Sequence, residues 1–413
     1  MKLLRVTAIL FSAALLSSSA IGQTKGTSDK LERVVIVERH GVRPPTKAPE
    51  ELAKFAEQPW PQWSVPPGEL TAHGAKAIAL MGGALKAVYA KEGLVDGTKC
   101  PANVFVWADS GDQRTRASGD ALLQGMGCAA ASSHLEAGQH DAVFAGAKTD
   151  LCPADADQTK RAVEAKLSAV LTADRARYDS ARQTMQDILT PHGCGKEGQA
   201  QCAIAEGSDS VVVKNGDARL EGPLANASGL TENLLLEYAE GKPLSEVGWG
   251  RAAGKLDSVL TLHNLYADVA RRTPVFAARR GAVLAQQVVD LLNGRASSIA
   301  GAAPVPANAK LVVFLGHDTN LSAISGILDA DWRLPGQPDH TAPGTALAFE
   351  LWRRADGTKF VTVRVFYQKL EELRALTPLK TLSSVVLPVC AGCSLEALSA
   401  KISQAIASDC GKQ

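Results

Sequence analysis

Two short runs of β-branched residues, one near each end of the chain, constrain its fold more than any other feature. Leu31-Glu32-Arg33-Val34-Val35-Ile36-Val37 and Lys310-Leu311-Val312-Val313-Phe314-Leu315 both close on apolar residues without alternation, the pattern of strands buried on both faces. Such strands belong to parallel sheets, whose neighbours need crossover connections, usually helical. Helical patterns run from Thr71 to Tyr89 and onward from Gln113, and Val104–Trp107 and Phe360–Val365 are further strand candidates. This alternation predicts an α/β fold with a mixed, largely parallel sheet flanked by helices. Between Cys152 and Val275 the strand signal fades: Lys160–Ile188, Thr231–Ala239 and Leu256–Ala270 read as helix, and the sheet pattern resumes with a helix over Arg279–Leu292. The expected organisation is a discontinuous α/β domain, 23–151 and 276–413, interrupted by a mostly α-helical subdomain at 152–275. A length of 413 residues accommodates this at roughly 100 to 200 residues per domain.

Residues 1–22 have a separate reading. Lys2 and Arg5 precede an apolar stretch from Val6 to Leu16 and then the small residues Ser17 to Gly22, the pattern of a cleaved secretory signal. The stretch is too short for the roughly 20 residues that cross a bilayer, and no later segment is apolar enough to anchor the chain. A periplasmic or secreted protein, free of the membrane after cleavage, is expected. The whole chain carries +1, and without Lys2 and Arg5 the charge is −1. A near-neutral chain has no general attraction for a phosphate backbone, so nucleic acid is not the expected partner and any anion site must be local. The expected state is a monomer acting on a small molecule.

All eight cysteines lie after the leader: Cys100, Cys128, Cys152, Cys194, Cys202, Cys390, Cys393 and Cys410. In an exported chain an even count reads as disulfides, whereas Cys390-x-x-Cys393 in a cytosolic chain could be a redox or zinc pair. Roughly a hundred pairings are possible. Local closure favours Cys194 with Cys202 and Cys390 with Cys393, and the flanks of a loop favour Cys100 with Cys128, which leaves Cys152 and Cys410 to each other. With no second C-x-x-C and no H-x-x-x-H, structural zinc is not expected.

Chemistry is concentrated directly after three of the strands. After the first comes Arg39-His40-Gly41-Val42-Arg43-Pro44-Pro45-Thr46-Lys47, two arginines flanking a histidine. Ligands of open α/β sheets bind beyond the carboxyl ends of the strands, and the planar donor fork of arginine matches phosphate oxygens. After the strand at Leu311 comes Gly316-His317-Asp318-Thr319-Asn320. If the two strands are parallel members of one sheet, His40 and His317 converge. Convergence is what a phosphomonoester transfer needs: a neutral imidazole attacks phosphorus, cations hold the oxygens, and a carboxylic acid, Asp318, protonates the departing alcohol. After Trp107 comes Asp109-Ser110-Gly111-Asp112-Gln113-Arg114-Thr115-Arg116, in which only one of the two arginines can face the site.

R-H-G-x-R-x-P near the start, D-x-x-x-x-R-T-R in the middle and G-H-D-T-N towards the end resemble the motifs of the histidine acid phosphatases, most closely the bacterial periplasmic phytases. Gly248-Trp249-Gly250-Arg251, Leu262-His263-Asn264, Arg272-Thr273-Pro274 and Leu334-Pro335-Gly336-Gln337-Pro338-Asp339 are similar to that branch, so the resemblance spans nearly the whole mature chain. It implies the same cysteine pairing. It also implies that His40 is the nucleophile, that Arg39, Arg43, Arg114 and His317 clamp the phosphate, and that Asp318 donates the proton. Thr46, Lys47, Asp109, Glu232, His263 and Arg280 would line the wider pocket, with Arg279 able to replace Arg280. Gly229 departs from the family, which can carry a larger apolar side chain there. No cofactor and no metal are implied. The expected activity is hydrolysis of phytate, inositol hexakisphosphate, through a phosphohistidine. The alternatives are a glucose-1-phosphatase or other sugar-phosphate phosphatase and, more remotely, a protein that binds phosphate esters without turnover.

Overall fold

The computed structural model describes residues 29–145, 152, 155–196, 200–214, 217–297 and 299–410, and the leader at 1–22 lies outside the described residues. In chain order the elements are β1 (Lys30–Arg39), α1 (Pro49–Ala53), α2 (Ala72–Lys91), β2 (Val104–Ala108), α3 (Gln113–Gly125), α4 (Ala156–Ala173), α5 (Arg175–Leu189), β3 (Ser210–Lys214), β4 (Asp217–Glu221), α6 (Pro223–Ala239), α7 (Leu256–Ala270), α8 (Pro274–Leu292), β5 (Leu311–Gly316), α9 (Asp318–Leu328), β6 (Ala346–Arg353), β7 (Lys359–Tyr367), α10 (Leu370–Ala375), β8 (Ser383–Ser394) and α11 (Leu395–Asp409). None of these helices is long and apolar enough to cross a membrane.

Six strands form the main sheet in the order β2-β5-β1-β6-β7-β8. β5 pairs in parallel with both β2 and β1, whereas β1–β6, β6–β7 and β7–β8 are antiparallel. Four of the six strands, β1, β2, β5 and β7, therefore run the same way. The parallel trio accounts for the unbroken apolar runs. Val35 and Val37 of β1 join Val312 and Phe314 in a core under α8 and α9, while Val34 and Ile36 join Leu311 and Val313 in a second core under α2 and α3. All four β1 residues are fully buried, each contributing about 1.5 to 3 kcal/mol of apolar burial.

A third core is built by α4, α5, α6 and α7, together with Val42, Phe55 and Trp60 from the stretch after β1 and Leu370 and Leu373 of α10. The predicted helix over Lys160–Ile188 is two helices, broken at Asp174, whose backbone leaves the helical region (φ −143°, ψ 43°). The hairpin β3–β4 also lies in this part of the chain; its strands are five residues each, β3 centred on Val211–Val213 and β4 polar but for Ala218 and Leu220. β6 and β8 carried no clear strand signal. The residues of β6 are uniformly buried up to Arg353, and β8 is an edge strand that contains Pro388 and pairs irregularly with β7, as edges tolerate.

The eight cysteines form Cys100–Cys128, Cys152–Cys410, Cys194–Cys202 and Cys390–Cys393, the pairing expected from the sequence. Cys152–Cys410 ties the start of the helical segment to the end of α11.

The Gly248-Trp249-Gly250-Arg251 stretch owes its form to a buried acid. Gly248 and Trp249 are both left-handed (φ 53° and 57°), which for tryptophan requires outside support. The indole Nε1 donates to Pro59 O at 2.8 Å, and the Gly248 amide donates to Glu237 Oε2 at 2.9 Å. Burial, partly offset by that amide, pushes the Glu237 carboxyl up to about 8, and Oε1 is buried without a partner. A carboxyl whose folded value is raised must keep its proton on folding, so its stability contribution is intact at low pH and is lost as pH rises toward 8. Glu237→Gln is therefore expected to flatten the fall in stability between about pH 5 and 8. At pH 7.5 it should be more stable than wild type, by on the order of 3 kcal/mol in urea unfolding. A fall of the same steepness in both proteins would refute the assignment.

Candidate active site

The three parallel strands end side by side and deliver three polar groups to one edge. The Asp109 amide donates to Leu315 O at 3.0 Å, and the His40 amide donates to Gly316 O at 2.9 Å, so the residues following β2 and β1 extend the ladder along the end of β5. Beyond this point the chain turns sharply. A Cβ on Gly41 would lie 2.8 Å from Gly74 O, and one on Gly74 would lie 2.3 Å from Val42 O, so only glycine lets the loop after β1 lie against the start of α2. The Gly41 amide donates to Ser118 Oγ of α3 at 3.0 Å, fixing the loop from the other side.

His40 is buried, and its Nδ1 lies 2.8 Å from Gly41 O. A carbonyl can only accept, so Nδ1 carries the proton and Nε2 presents a lone pair. Burial, and then the charges of Arg39, Arg43, Arg114 and His317, hold the ring well below the usual histidine range, hence neutral. The His40 and His317 rings lie edge to face, with centroids 5.5 Å apart.

Every arginine in the cluster is already matched with acid. Arg39, fully buried, donates to Asp339 Oδ2 at 3.2 Å, to Thr341 O at 2.6 Å and to Glu232. Arg43 Nη2 lies 3.3 Å from Glu232 Oε2. Arg114 forks onto Asp112 at 2.9 and 2.8 Å, while Arg116 turns away and donates to Ser110 O. The Nε–H groups of Arg39, Arg43 and Arg114 are buried without partners. Glu232 of α6 thus straddles two arginines; burial alone would raise its carboxyl, but Arg43 and Arg39 bring it below the usual range.

His317 occupies the N-cap position of α9, where its amide donates to Asn320 Oδ1 at 2.9 Å. Its Nε2–H donates to Asp109 Oδ2 at 2.7 Å. Asp109 was expected to line the wider pocket; in the structure it orients His317. Burial would raise its carboxyl, but His317, the Gly111 amide and Arg114 lower it. Asp318, first residue of α9, is ion-paired to Arg271 at the end of α7. Burial again opposes ionisation, and the charges of Arg271, Arg39 and His263 overcome it, holding Asp318 well below the usual carboxylate range.

The remaining expected residues are spread more widely. His263 of α7 is buried against Ser228, with Nε2 3.9 Å from Asp339 Oδ1. Thr46 and Lys47 are exposed, and a Cβ on Gly68 would lie 3.5 Å from both Thr46 and Arg114. The Lys47 ammonium sits 5.4 Å from the Phe55 ring centre, beside a cleft lined by Pro44, Pro45, Trp60 and Trp63. Arg280 is joined with Arg279 to Asp217 at the start of β4, and no hydrogen bond or ion pair links it to the cluster among the described residues. Gly229 leaves open space, since a Cβ there would meet nothing within 4 Å. Sequence reasoning missed Arg271, Asp112 and the role of Asp339. Only the Leu334–Asp339 similarity pointed near the last, and no local pattern links Arg271 to Asp318.

Two groups, Asp109–Asp112–His317 and Glu232–His263–Asp318, have ligand atoms within 4.8 Å of one another, close enough for a metal ion. In both, the carboxylates are engaged by arginine or histidine. The charge pattern is that of an anion receptor: clustered arginines, partly neutralised in advance, around one unprotonated imidazole nitrogen.

Comparison with known proteins agrees with this chemistry. The family model of the histidine phosphatase superfamily (branch 2) matches residues 30–368. Phytase AppA of Escherichia coli strain K12 is 33% identical over 364 residues, 85% of this chain and 83% of that protein. Glucose-1-phosphatase of Salmonella typhimurium is 29% identical over 399 residues, 93% of each. The solved structure of Hafnia alvei phytase in complex with myo-inositol hexakis sulphate superposes with a TM-score of 0.83 at 33% identity, covering 94% of this chain and all of that one (100%). A family match over most of the chain, together with a relative at this level of identity, places the protein in the second branch of the histidine phosphatase superfamily, as a phosphomonoester hydrolase.

Proposed function

We propose that the protein hydrolyses phytate through a phosphohistidine on His40. The observation that carries this reading is the Nε2 lone pair of a neutral, buried His40, held by the Nδ1 contact to Gly41 O and ringed by Arg39, Arg43, Arg114 and His317. These four groups bind the phosphoryl oxygens. In the first step the Nε2–phosphorus bond forms, the phosphorus–oxygen ester bond breaks, and Asp318 passes its proton to the departing alkoxide. In the second, Asp318 takes a proton from water as the water oxygen bonds to phosphorus and the nitrogen–phosphorus bond breaks, releasing phosphate. Asp109 keeps the His317 Nε2–H directed. Arginines supply the charge stabilisation that metal ions give in other phosphatases, and the segment 152–275 serves as the domain that closes over the substrate through Glu232 and His263. The pattern of residues 1–22 and the four disulfides support export to an oxidising compartment.

His40→Ala is expected to abolish turnover without unfolding the protein, and rapid acid–base quench of wild type should trap an acid-labile, alkali-stable phosphate. Near-normal activity in the variant would refute the nucleophile.

Asp318→Asn should depress hydrolysis of alkyl phosphates far more than that of p-nitrophenyl phosphate, whose phenolate leaves without an acid. Because Asp318 must be protonated to act and its carboxyl is held low, alkyl ester turnover should fall as pH rises out of the acid range. Equal loss on both esters would remove Asp318 from the leaving-group step.

Lys47, exposed and outside the clamp, is expected to favour substrates with several phosphates. Lys47→Ala should lower kcat/KM for phytate on the order of tenfold, with a much smaller change for p-nitrophenyl phosphate and a deficit that shrinks with salt. No change on either substrate would favour the sugar-phosphate alternative.

A further inference from the structure

Arg271 has no place in the phosphate clamp, yet it makes the closest contact of Asp318. It caps the C-terminal end of α7, where helix carbonyls favour a cation, and its guanidinium lies 5.4 Å from the Tyr266 ring centre. From there it reaches the first residue of α9 and pairs with Asp318 Oδ2, while Asp318 Oδ1 accepts the Thr319 amide at 2.8 Å. Both carboxylate oxygens are thus occupied by donors. A carboxylate held in this way is ionised and carries no proton to give. The side chains of Arg271 and Asp318 are partly open, 19% and 14% exposed, whereas Arg39 is fully enclosed. Of the cations paired with acid in this cluster, Arg271 is therefore among those an incoming solute can reach.

We propose, building on the phosphohistidine reading, that Arg271 is a positioning residue that restrains the proton donor until a second anionic group of the substrate draws it away. The substrates favoured would be phosphomonoesters bearing another phosphate beside the one transferred. When that neighbouring phosphate takes the Arg271 guanidinium, Asp318 loses its strongest cationic partner. It then faces a dianionic phosphoryl group and can take up a proton. A monoester with no second anion leaves the Arg271–Asp318 pair closed and must wait for protonation from more acidic solution. Selectivity for polyphosphorylated substrates would thus arise in the chemical step as well as in binding. The charged and titratable groups facing Asp318 are Arg271 and His263 of α7, Arg39 of β1, Glu232 of α6 and Arg114 of α3, with His317 adjacent in sequence. Of these, only Arg271 bonds directly to Asp318.

The test compares kcat and KM across pH for phytate and 2-glycerophosphate in wild type, Arg271→Gln and Arg271→Lys. In wild type, the descending limb of kcat is expected at higher pH for phytate than for 2-glycerophosphate. In Arg271→Gln, removing the cation raises the Asp318 carboxyl, so the limb for 2-glycerophosphate should move up by about one pH unit to meet that of phytate. kcat on 2-glycerophosphate above pH 5 should rise several-fold, while KM for phytate should rise about tenfold. Arg271→Lys, which keeps the charge, should restore the separation of the two limbs. Coincident limbs in wild type, or an unmoved limb in Arg271→Gln with parallel losses on both substrates, would overturn the proposal. If Arg271→Gln does not fold, an unchanged phytate-to-glycerophosphate ratio and limb in Arg271→Lys at high salt, where the pair is screened, would do the same. A p-nitrophenolate burst in wild type, reporting phosphorylation of His40, separates failure of this proposal from failure of the phosphohistidine reading.

Discussion

Mutual repulsion among guanidinium groups is the constraint around which the site is organised. Two such charges about 5 Å apart repel by about 3 kcal/mol at an effective dielectric of about 20, and Arg39, Arg43, Arg114 and Arg271 all act on the same few groups. Without compensation the cluster would swing open or unfold its loop. Each arginine is instead matched with a carboxylate from elsewhere in the chain: Glu232 and Asp339 for Arg39, Glu232 for Arg43, Asp112 for Arg114 and Asp318 for Arg271. The acids come from four regions: α6, the loop before β6, the loop before α3 and the start of α9. The charge balance therefore also ties together elements far apart in sequence.

That balance has a chemical consequence. A site already neutralised by carboxylates does not attract a dianion by net charge; it admits one by exchanging partners. A phosphate displacing Glu232 from Arg39 and Arg43 gains bidentate contacts that the carboxylate only approximates, and the displaced acid becomes easier to protonate. Under the proposed reading, substrate entry and proton uptake would be coupled, which would favour turnover at acid pH even though His40 needs no acid to present its Nε2 lone pair. The buried Nε–H groups of Arg39, Arg43 and Arg114 add donors that no group among the described residues uses.

Much of this was legible in the sequence because the decisive residues follow strands whose apolar runs are unambiguous. β1 and β5 were evident from Val34–Val37 and Leu311–Leu315, and once they are parallel neighbours His40 and His317 must meet. The antiparallel half was harder to read. The residues of β6 are buried on both faces and rich in alanine, and β8 lies at an edge where its pattern is irregular. Arg271 was invisible for a different reason. Its meaning depends on the end of α7 meeting the start of α9, a packing outcome that no local spacing encodes. Asp109 was found by similarity, but its bond to His317 crosses from one strand end to the next. Arg280 shows the reverse case, a residue of suitable type and place whose charge is taken by Asp217 of a hairpin that sequence reasoning passed over, although Asn215-Gly216 after Val211–Val213 is a hairpin signal.

The strand order also governs when the molecule can come into being. β1 is the first strand to be made, yet both of its partners come late: Val34 pairs with Leu311 on one side and with Glu350 on the other. Until most of the chain exists, this strand, with the fully buried Val34–Val37 at its centre, has no neighbour, and its hydrogen-bonding edges are open to any other strand. Contacts so distant in sequence form slowly. A chain whose first strand finds both partners only late in synthesis depends on being shielded from its own copies until then.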